Sequence, residues 1–221
     1  MFHFLERNPF LFTVMVFITV AFAGVISILP DFAKSSQPLV GTKPYTVLEL
    51  AGRHVYIKDS CNACHSQLIR PFKSETDRYG KVSLSGEYAY DRPFLWGSKR
   101  TGPDLMRVGN YRTTDWHENH MFEPTSVVPG SIMPAYKHMF KNLADVDTAY
   151  AEAVTVRDIF STPYDQEGMP KLGSLDESKA TALEDAKAIA EGMKNQAVKD
   201  AVAGGEIPQI VALIAYLNSL K

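Results

Sequence analysis

The chain has 221 residues and only two cysteines, both within one four-residue span, Cys61-Asn62-Ala63-Cys64. No thiol is left over for a structural disulfide. Net charge is scarce as well: the formal value is −2, which gives no basic footprint for nucleic acid. A βαβ pattern is missing, so a thioredoxin-like turn around the cysteines has no supporting context. No nucleophile–base constellation and no carboxylate pair stand out from the 22% of charged residues. The last scarcity is local. The twenty residues from Phe10 to Leu29 contain no charge, and only Thr13, Thr19 and Ser27 interrupt the apolar run.

What is present begins with the residue after the second cysteine. Cys61-Asn62-Ala63-Cys64-His65 has the spacing of a covalent c-type haem site: two thiols add to the porphyrin vinyl groups and the adjacent imidazole ligates the iron. A zinc site would need two further ligands. His117 and His120 are available, but their His-x₂-His spacing lies outside the usual range. The motif therefore predicts one haem c bound through Cys61 and Cys64, with His65 as an axial ligand.

The charge-free run reaches about 30 Å as a helix, one hydrocarbon thickness. Pro9 and Pro30 bracket it. Ala21-Phe22-Ala23 has the form of a signal-peptide cleavage site, but the apolar run continues past it, beyond an ordinary signal core. An uncleaved anchor over 9–30 is the reading adopted. Arg7 alone orients it weakly. Haem attachment belongs outside the bacterial cytoplasmic membrane, which predicts a short cytoplasmic segment at 1–8 and a periplasmic domain. Ser35, Ser36, Pro38, Gly41 and Pro44 mark 31–46 as a linker.

The soluble domain, 47–221, is expected to be mainly α. Leu48, Ala51, Val55 and Tyr56 share a face over Val47 to Ser60; Ile210, Val211, Leu213, Ile214 and Leu217 do so over Ile207 to Leu220. These terminal helices resemble the crossing pair of a class I cytochrome c, with Gly52, Tyr56 and Tyr216 at the contact positions. Gly102-Pro103-Asp104-Leu105 resembles that family's Gly-Pro-x-Leu segment. The resemblance implies that the Pro103 carbonyl accepts a hydrogen bond from the axial histidine and that Leu105 packs near the haem.

For the sixth ligand we choose Met133, set between Pro129 and Pro134 in a segment that proline keeps out of regular helix. A thioether there raises the potential of an electron-transfer haem. Met106, Met121, Met139 and Met169 sit in less constrained contexts. His117, His120 and His138 are the bis-histidine alternative. Arg70, Trp96, Lys99 and Arg100 are candidates for the haem propionates because they carry suitable donors, although they equally suit a partner contact. An inserted helical region at about 140–205 contains a predicted long helix, Asp176 to Ala203. Its apolar side is Ala182, Leu183, Ala186, Ile189, Ala190, Met193 and Ala197, its polar side carries the pairs Glu184–Lys187 and Glu191–Lys194, and Gly204-Gly205 ends it.

The stretches CNACHSQLIRPFKSETDRYG, GEYAYDRPFLWGSKRTGPDL, GNYRTTDWHENH and PGSIMPAY, with the anchor, closely resemble the CcoO/FixO family, the membrane-anchored monohaem subunits of cbb3-type cytochrome c oxidases. The resemblance implies a class I cytochrome c-like domain on one transmembrane helix. It also implies a low-spin haem c that passes electrons to a polytopic haem b/copper catalytic subunit, with a dihaem cytochrome c subunit as donor. A nitric oxide reductase cytochrome subunit, a tethered electron shuttle and a haem-based sensor remain as alternatives.

Overall fold

The computed structural model describes residues 2–33, 38–97 and 99–221. Secondary structure among the described residues is helical, apart from one isolated bridge between Leu143 and Pro208. The chain forms two compact units, Met1–Gln37 and Pro38–Lys221.

The first unit holds α1 (Phe2–Glu6) and α2 (Pro9–Ala33). α2 is long and apolar enough from Pro9 to Leu29 to cross a membrane. Its few hydroxyls turn back on the helix: Thr13, Thr19 and Ser27 donate to the carbonyls of Pro9, Met15 and Ala23 at 2.9, 2.8 and 2.9 Å. That satisfies them without water, as a hydrocarbon environment demands. The helix passes Pro30 and ends at Ala33, later than the expected boundary at 30. Proline removes one N–H from the ladder, and here that loss does not terminate the helix. Part of the expected linker, 34–37 with Ser35 and Ser36, lies outside the described residues.

The second unit is built on α3 (Val47–Lys58) and α10 (Gln209–Ser219). A capping box starts α3: the Thr46 hydroxyl accepts from the Glu49 N–H at 3.3 Å and the Glu49 carboxylate accepts from the Thr46 N–H at 2.7 Å. This pairing satisfies two backbone groups that the first turn leaves free. α3 stops at Lys58, short of the expected Ser60. Ser60 turns left-handed at φ 57°, and Cys61 opens a 3-10 turn over Cys61–Ala63. The haem motif is thus fixed to the end of α3.

α3 and α10 cross in close contact. A Cβ on Gly52 would lie 1.9 Å from the Ala212 carbonyl oxygen and 2.9 Å from the Tyr216 Cβ, so only glycine admits α10 at this distance. Tyr216 packs edge-on against Tyr56 and Tyr45, with centroids 5.5 and 5.6 Å apart. Ile210, Val211, Leu213, Ile214 and Leu217 are buried, each contributing about 1.5–3 kcal/mol by transfer from water.

Four further helices follow in the chain: α4 (Lys73–Tyr79), α5 (Thr114–Phe122), α6 (Pro124–Val127) and α7 (Val146–Phe160), of which α5 packs on α10. α7 lies against α3, with Ala149 and Ala153 buried and the His54 ring bonded to Glu152. The predicted helix at 176–203 is two helices, α8 (Leu175–Glu191) and α9 (Gln196–Ala203). The cause is tertiary. Buried Glu118 of α5 accepts from the N–H groups of Lys194 and Asn195 at 2.6 and 2.7 Å, and the Asn195 side chain caps α9 through the Val198 N–H at 3.2 Å. After this break the register changes, so Val198 and Val202 are buried while Ala197 is exposed. Ala182, Ala186, Ala190 and Met193 do join the core as expected. The expected Glu184–Lys187 and Glu191–Lys194 pairs do not form among the described residues; Lys194 lies past the end of α8 and pairs with Asp115 at 3.5 Å. Gly204 and Gly205 close α9, Gly205 with φ 92°.

Gly52→Ala should therefore force the two helices apart. A loss of about 3 kcal/mol is expected, the upper part of the usual overpacking range, equivalent to roughly 6–12 °C in Tm. Thermal unfolding of the holoprotein measures it; an unchanged Tm would contradict the crossing as described.

Candidate functional site

Three segments converge beside the crossing and enclose a cavity of about 660 Å³, a size suited to a cofactor. Cys61, Cys64 and His65 line one side, Gly102, Pro103 and Leu105 another, and Met133 with Pro134 and Tyr136 a third. Tyr56 of α3 and Leu213 and Leu217 of α10 also line the wall. The terminal helices therefore shape the site as well as the core.

His65 is held by its far nitrogen. Its Nδ1 lies 2.8 Å from the Pro103 carbonyl oxygen, which selects the tautomer with the proton on Nδ1 and leaves Nε2 free as a donor to a metal. Burial lowers the His65 pKa, against the raising effect of the Pro103 carbonyl, and so favours the neutral imidazole that an iron ligand must be. Gly102 makes this packing feasible: a Cβ there would lie 2.3 Å from the His65 Cε1. Cys61 is buried and Cys64 exposed. Burial pushes the Cys61 thiol up to about 12, so it is held as a thiol and not as a metal-binding thiolate. No group of three or more His, Cys, Asp or Glu side chains suited to a metal ion occurs among the described residues.

The structure narrows the choice of second axial donor. Met133 enters from an extended stretch whose ends are tied: the Tyr136 N–H donates to the Met121 carbonyl at 2.8 Å, and the Met133 N–H to the Ser131 hydroxyl at 3.3 Å. Met121, His117 and His120 also line the cavity. Met106, Met139 and Met169 do not line it, and neither does His138, whose Nε2 lies 3.1 Å from Asp59.

Charge in the cavity is one-sided. Arg78 and Arg112 line it with no carboxylate among the described lining residues. Both guanidiniums lie over aromatic rings, Arg78 over Tyr79 at 5.1 Å and Arg112 over Trp116 at 4.2 Å. His117 is 1% exposed, yet neither of its ring nitrogens has a hydrogen-bond partner, nor does Nδ1 of His120. Burial lowers both histidines to about 4. Buried donors left without partners are costly. A dianionic macrocycle would supply acceptors to them and countercharge to the arginines, so the residues present fit a haem.

Arg70, Trp96 and Arg100, expected near the propionates, are committed elsewhere and none lines the cavity. Arg70 and Arg100 share Glu75: Arg70 Nε and Arg100 Nη1 lie 2.5 and 2.7 Å from its Oε1. Trp96 stacks on Phe94 with centroids 4.6 Å apart, and Lys99 is exposed. A buried carboxylate attracts guanidiniums more strongly than an open surface does, and that drew both arginines away. The residues that sequence reasoning missed, Arg78, Tyr79, Arg112 and Trp116, flank or belong to α4 and α5. A signal was available in Trp116, His117 and His120, which recur at helical spacing on α5.

Arg100, and then Arg70, hold the Glu75 carboxyl at about 2. Because this folded-state value is depressed, the stabilisation is complete above the ordinary range near 4.5 and is lost as pH falls toward 2. Glu75→Gln should flatten the dependence of Tm on pH between 5 and 2. An acid limb as steep as that of the wild type would contradict the assignment.

No curated protein matches the chain. A protein-family model described as "Cytochrome C oxidase, mono-heme subunit/FixO" matches residues 2–221. With its helical haem-sized cavity, Cys-x-x-Cys-His motif and one apolar amino-terminal helix, the chain belongs to the FixO family and is a monohaem cytochrome c subunit of a cbb3-type oxidase.

Proposed function

We propose that this subunit relays single electrons to the haem b/copper catalytic subunit of the oxidase, where oxygen is reduced to water, and receives them from a dihaem cytochrome c subunit. The reading rests chiefly on the cavity, which brings His65, Met133 and two thiols to one place and so offers two axial donors. An electron carrier needs that arrangement; an oxygen-binding site or sensor needs an open or exchangeable position. The haem supplies one-electron chemistry between its ferric and ferrous states.

The chain's own residues set the conditions for that chemistry. Cys61 and Cys64 would anchor the macrocycle covalently, so that it is retained at any potential. His65 and Met133 would hold the haem iron, with the Pro103 carbonyl fixing the imidazole. Leu105, Val108, Leu213 and Leu217 keep the interior apolar, which limits solvent reorganisation when the charge changes. Arg112, His117 and His120, which line the cavity, would hold the propionates in place of Arg70, Trp96 and Arg100. Exposed Cys64 and Ile132, the latter 80% exposed, bring one rim of the site to the surface for electron exchange. Residues 9–30 anchor the subunit in the bacterial inner membrane, with 1–8 cytoplasmic and 47–221 periplasmic.

Two outcomes are expected. Denaturing electrophoresis should leave the haem on the chain, with the alkaline pyridine spectrum of a two-thioether haem c; haem extracted by acidified acetone would contradict covalent attachment. Met133→His should lower the midpoint potential by roughly 100 mV or more, given how far axial ligands spread haem potentials. A redox titration identical to the wild type would remove Met133 from the iron.

A further inference from the structure

The Pro103 carbonyl that holds His65 is itself held by a charged lattice behind the cavity. Asp104 follows Pro103 directly, and its side chain is fully buried. Its Oδ2 accepts from the Ser66 hydroxyl at 2.7 Å and the Leu68 N–H at 2.8 Å, and its Oδ1 accepts from the Met106 N–H at 2.9 Å. Arg100 stands over the same group. Its Nη2 is 3.6 Å from Asp104 Oδ2 and donates to the Leu68 carbonyl at 2.5 Å, while its Nε donates to the Ser66 hydroxyl at 2.6 Å. Since Ser66 accepts from Arg100, its own proton goes to Asp104. Both Asp104 oxygens then act only as acceptors, as in an ionised carboxylate. Main-chain bonds complete the lacing: the Gly102 N–H to the Cys64 carbonyl and the Leu105 N–H to the Ser66 carbonyl, both 2.9 Å.

We propose that Asp104 and Arg100 are positioning residues for the axial imidazole and act on the haem potential with opposite signs. The inference rests on the haem reading above. Asp104 ties the chain just after Pro103, through the Met106 N–H, to Ser66 and Leu68 of the segment that carries His65, which keeps the carbonyl aimed at His65 Nδ1. A firmly hydrogen-bonded imidazole is a more basic ligand and favours the ferric state. The buried carboxylate acts in the same direction, because its charge in a poorly screened interior stabilises the more positive iron. Arg100 opposes it: its cation disfavours the ferric state, while its bonds to Ser66 and Leu68 keep the lattice in register.

The test is redox titration of the full-length holoprotein in detergent, for Asp104→Asn, Arg100→Gln and the double variant. The amide introduced by the first substitution keeps the shape of the carboxylate and one acceptor oxygen. The expected result is a rise in midpoint potential for Asp104→Asn, a fall for Arg100→Gln, and a value between the two for the double variant. Arg100→Lys, which keeps the charge and loses the fork, should fall less than Arg100→Gln. Shifts of the same sign in both single variants, or none in either, would overturn the proposal. If Asp104→Asn fails to retain haem, the two Arg100 variants decide: equal potentials for Arg100→Gln and Arg100→Lys overturn it. A wild-type chain without covalent haem would strike the haem reading instead.

Discussion

The hydrogen bond between His65 Nδ1 and the Pro103 carbonyl joins two segments 38 residues apart, and the cavity depends on it. It selects which imidazole nitrogen faces inward, and it requires close packing that only a residue without a side chain allows. Gly102 therefore belongs to the ligand geometry as much as Pro103 does. Behind this contact, residues 64–68 and 102–106 are laced by main-chain bonds and by Asp104. His65 is thus braced at its Nδ1 by the protein itself. Such outer contacts decide the tautomer, orientation and basicity of a ligating histidine.

The surrounding fold divides the charges. On the α5 side, cations and unpartnered imidazoles line the cavity without any carboxylate among the described lining residues. On the opposite side of the His65 strap, Arg70 and Arg100 are neutralised by Glu75 and Asp104 outside the cavity. One set suits an anionic group, and the other is complete within the protein. The elaboration at 140–205 contributes mostly packing. α7 and α8 lie against α3, and Glu118 joins α5 to the turn between α8 and α9. This region covers the crossing helices.

Much of the site was legible in the sequence because its chemistry fixes residue types at short spacing. The five residues from Cys61 to His65, the Gly-Pro-x-Leu segment and the proline-bounded Met133 were found that way, and the structure brings all three to one cavity. Gly52 and Tyr216 were legible because a close helix crossing restricts both positions. Less legible were features decided by tertiary partners. Periodicity carried a helix straight through Gly192 because the cap that interrupts it comes from Glu118, far away in the chain. Arg70 and Arg100 have the right donors for propionates, but Glu75 captured them, and nothing local in Arg70-Pro71-Phe72 announces that. The cations that do line the cavity were hidden because an arginine over an aromatic ring reads as surface until its helix is placed.

The role proposed for this subunit is to work within a haem–copper oxidase and deliver electrons to it. The most direct test is affinity purification of the tagged chain from native membranes in mild detergent, with haem and metal analysis and oxygen consumption measured on everything retained. Haem c, haem b and copper together, with oxygen uptake, are the predicted result. Haem b with non-haem iron and no copper would contradict the claim, and so would recovery of the cytochrome alone.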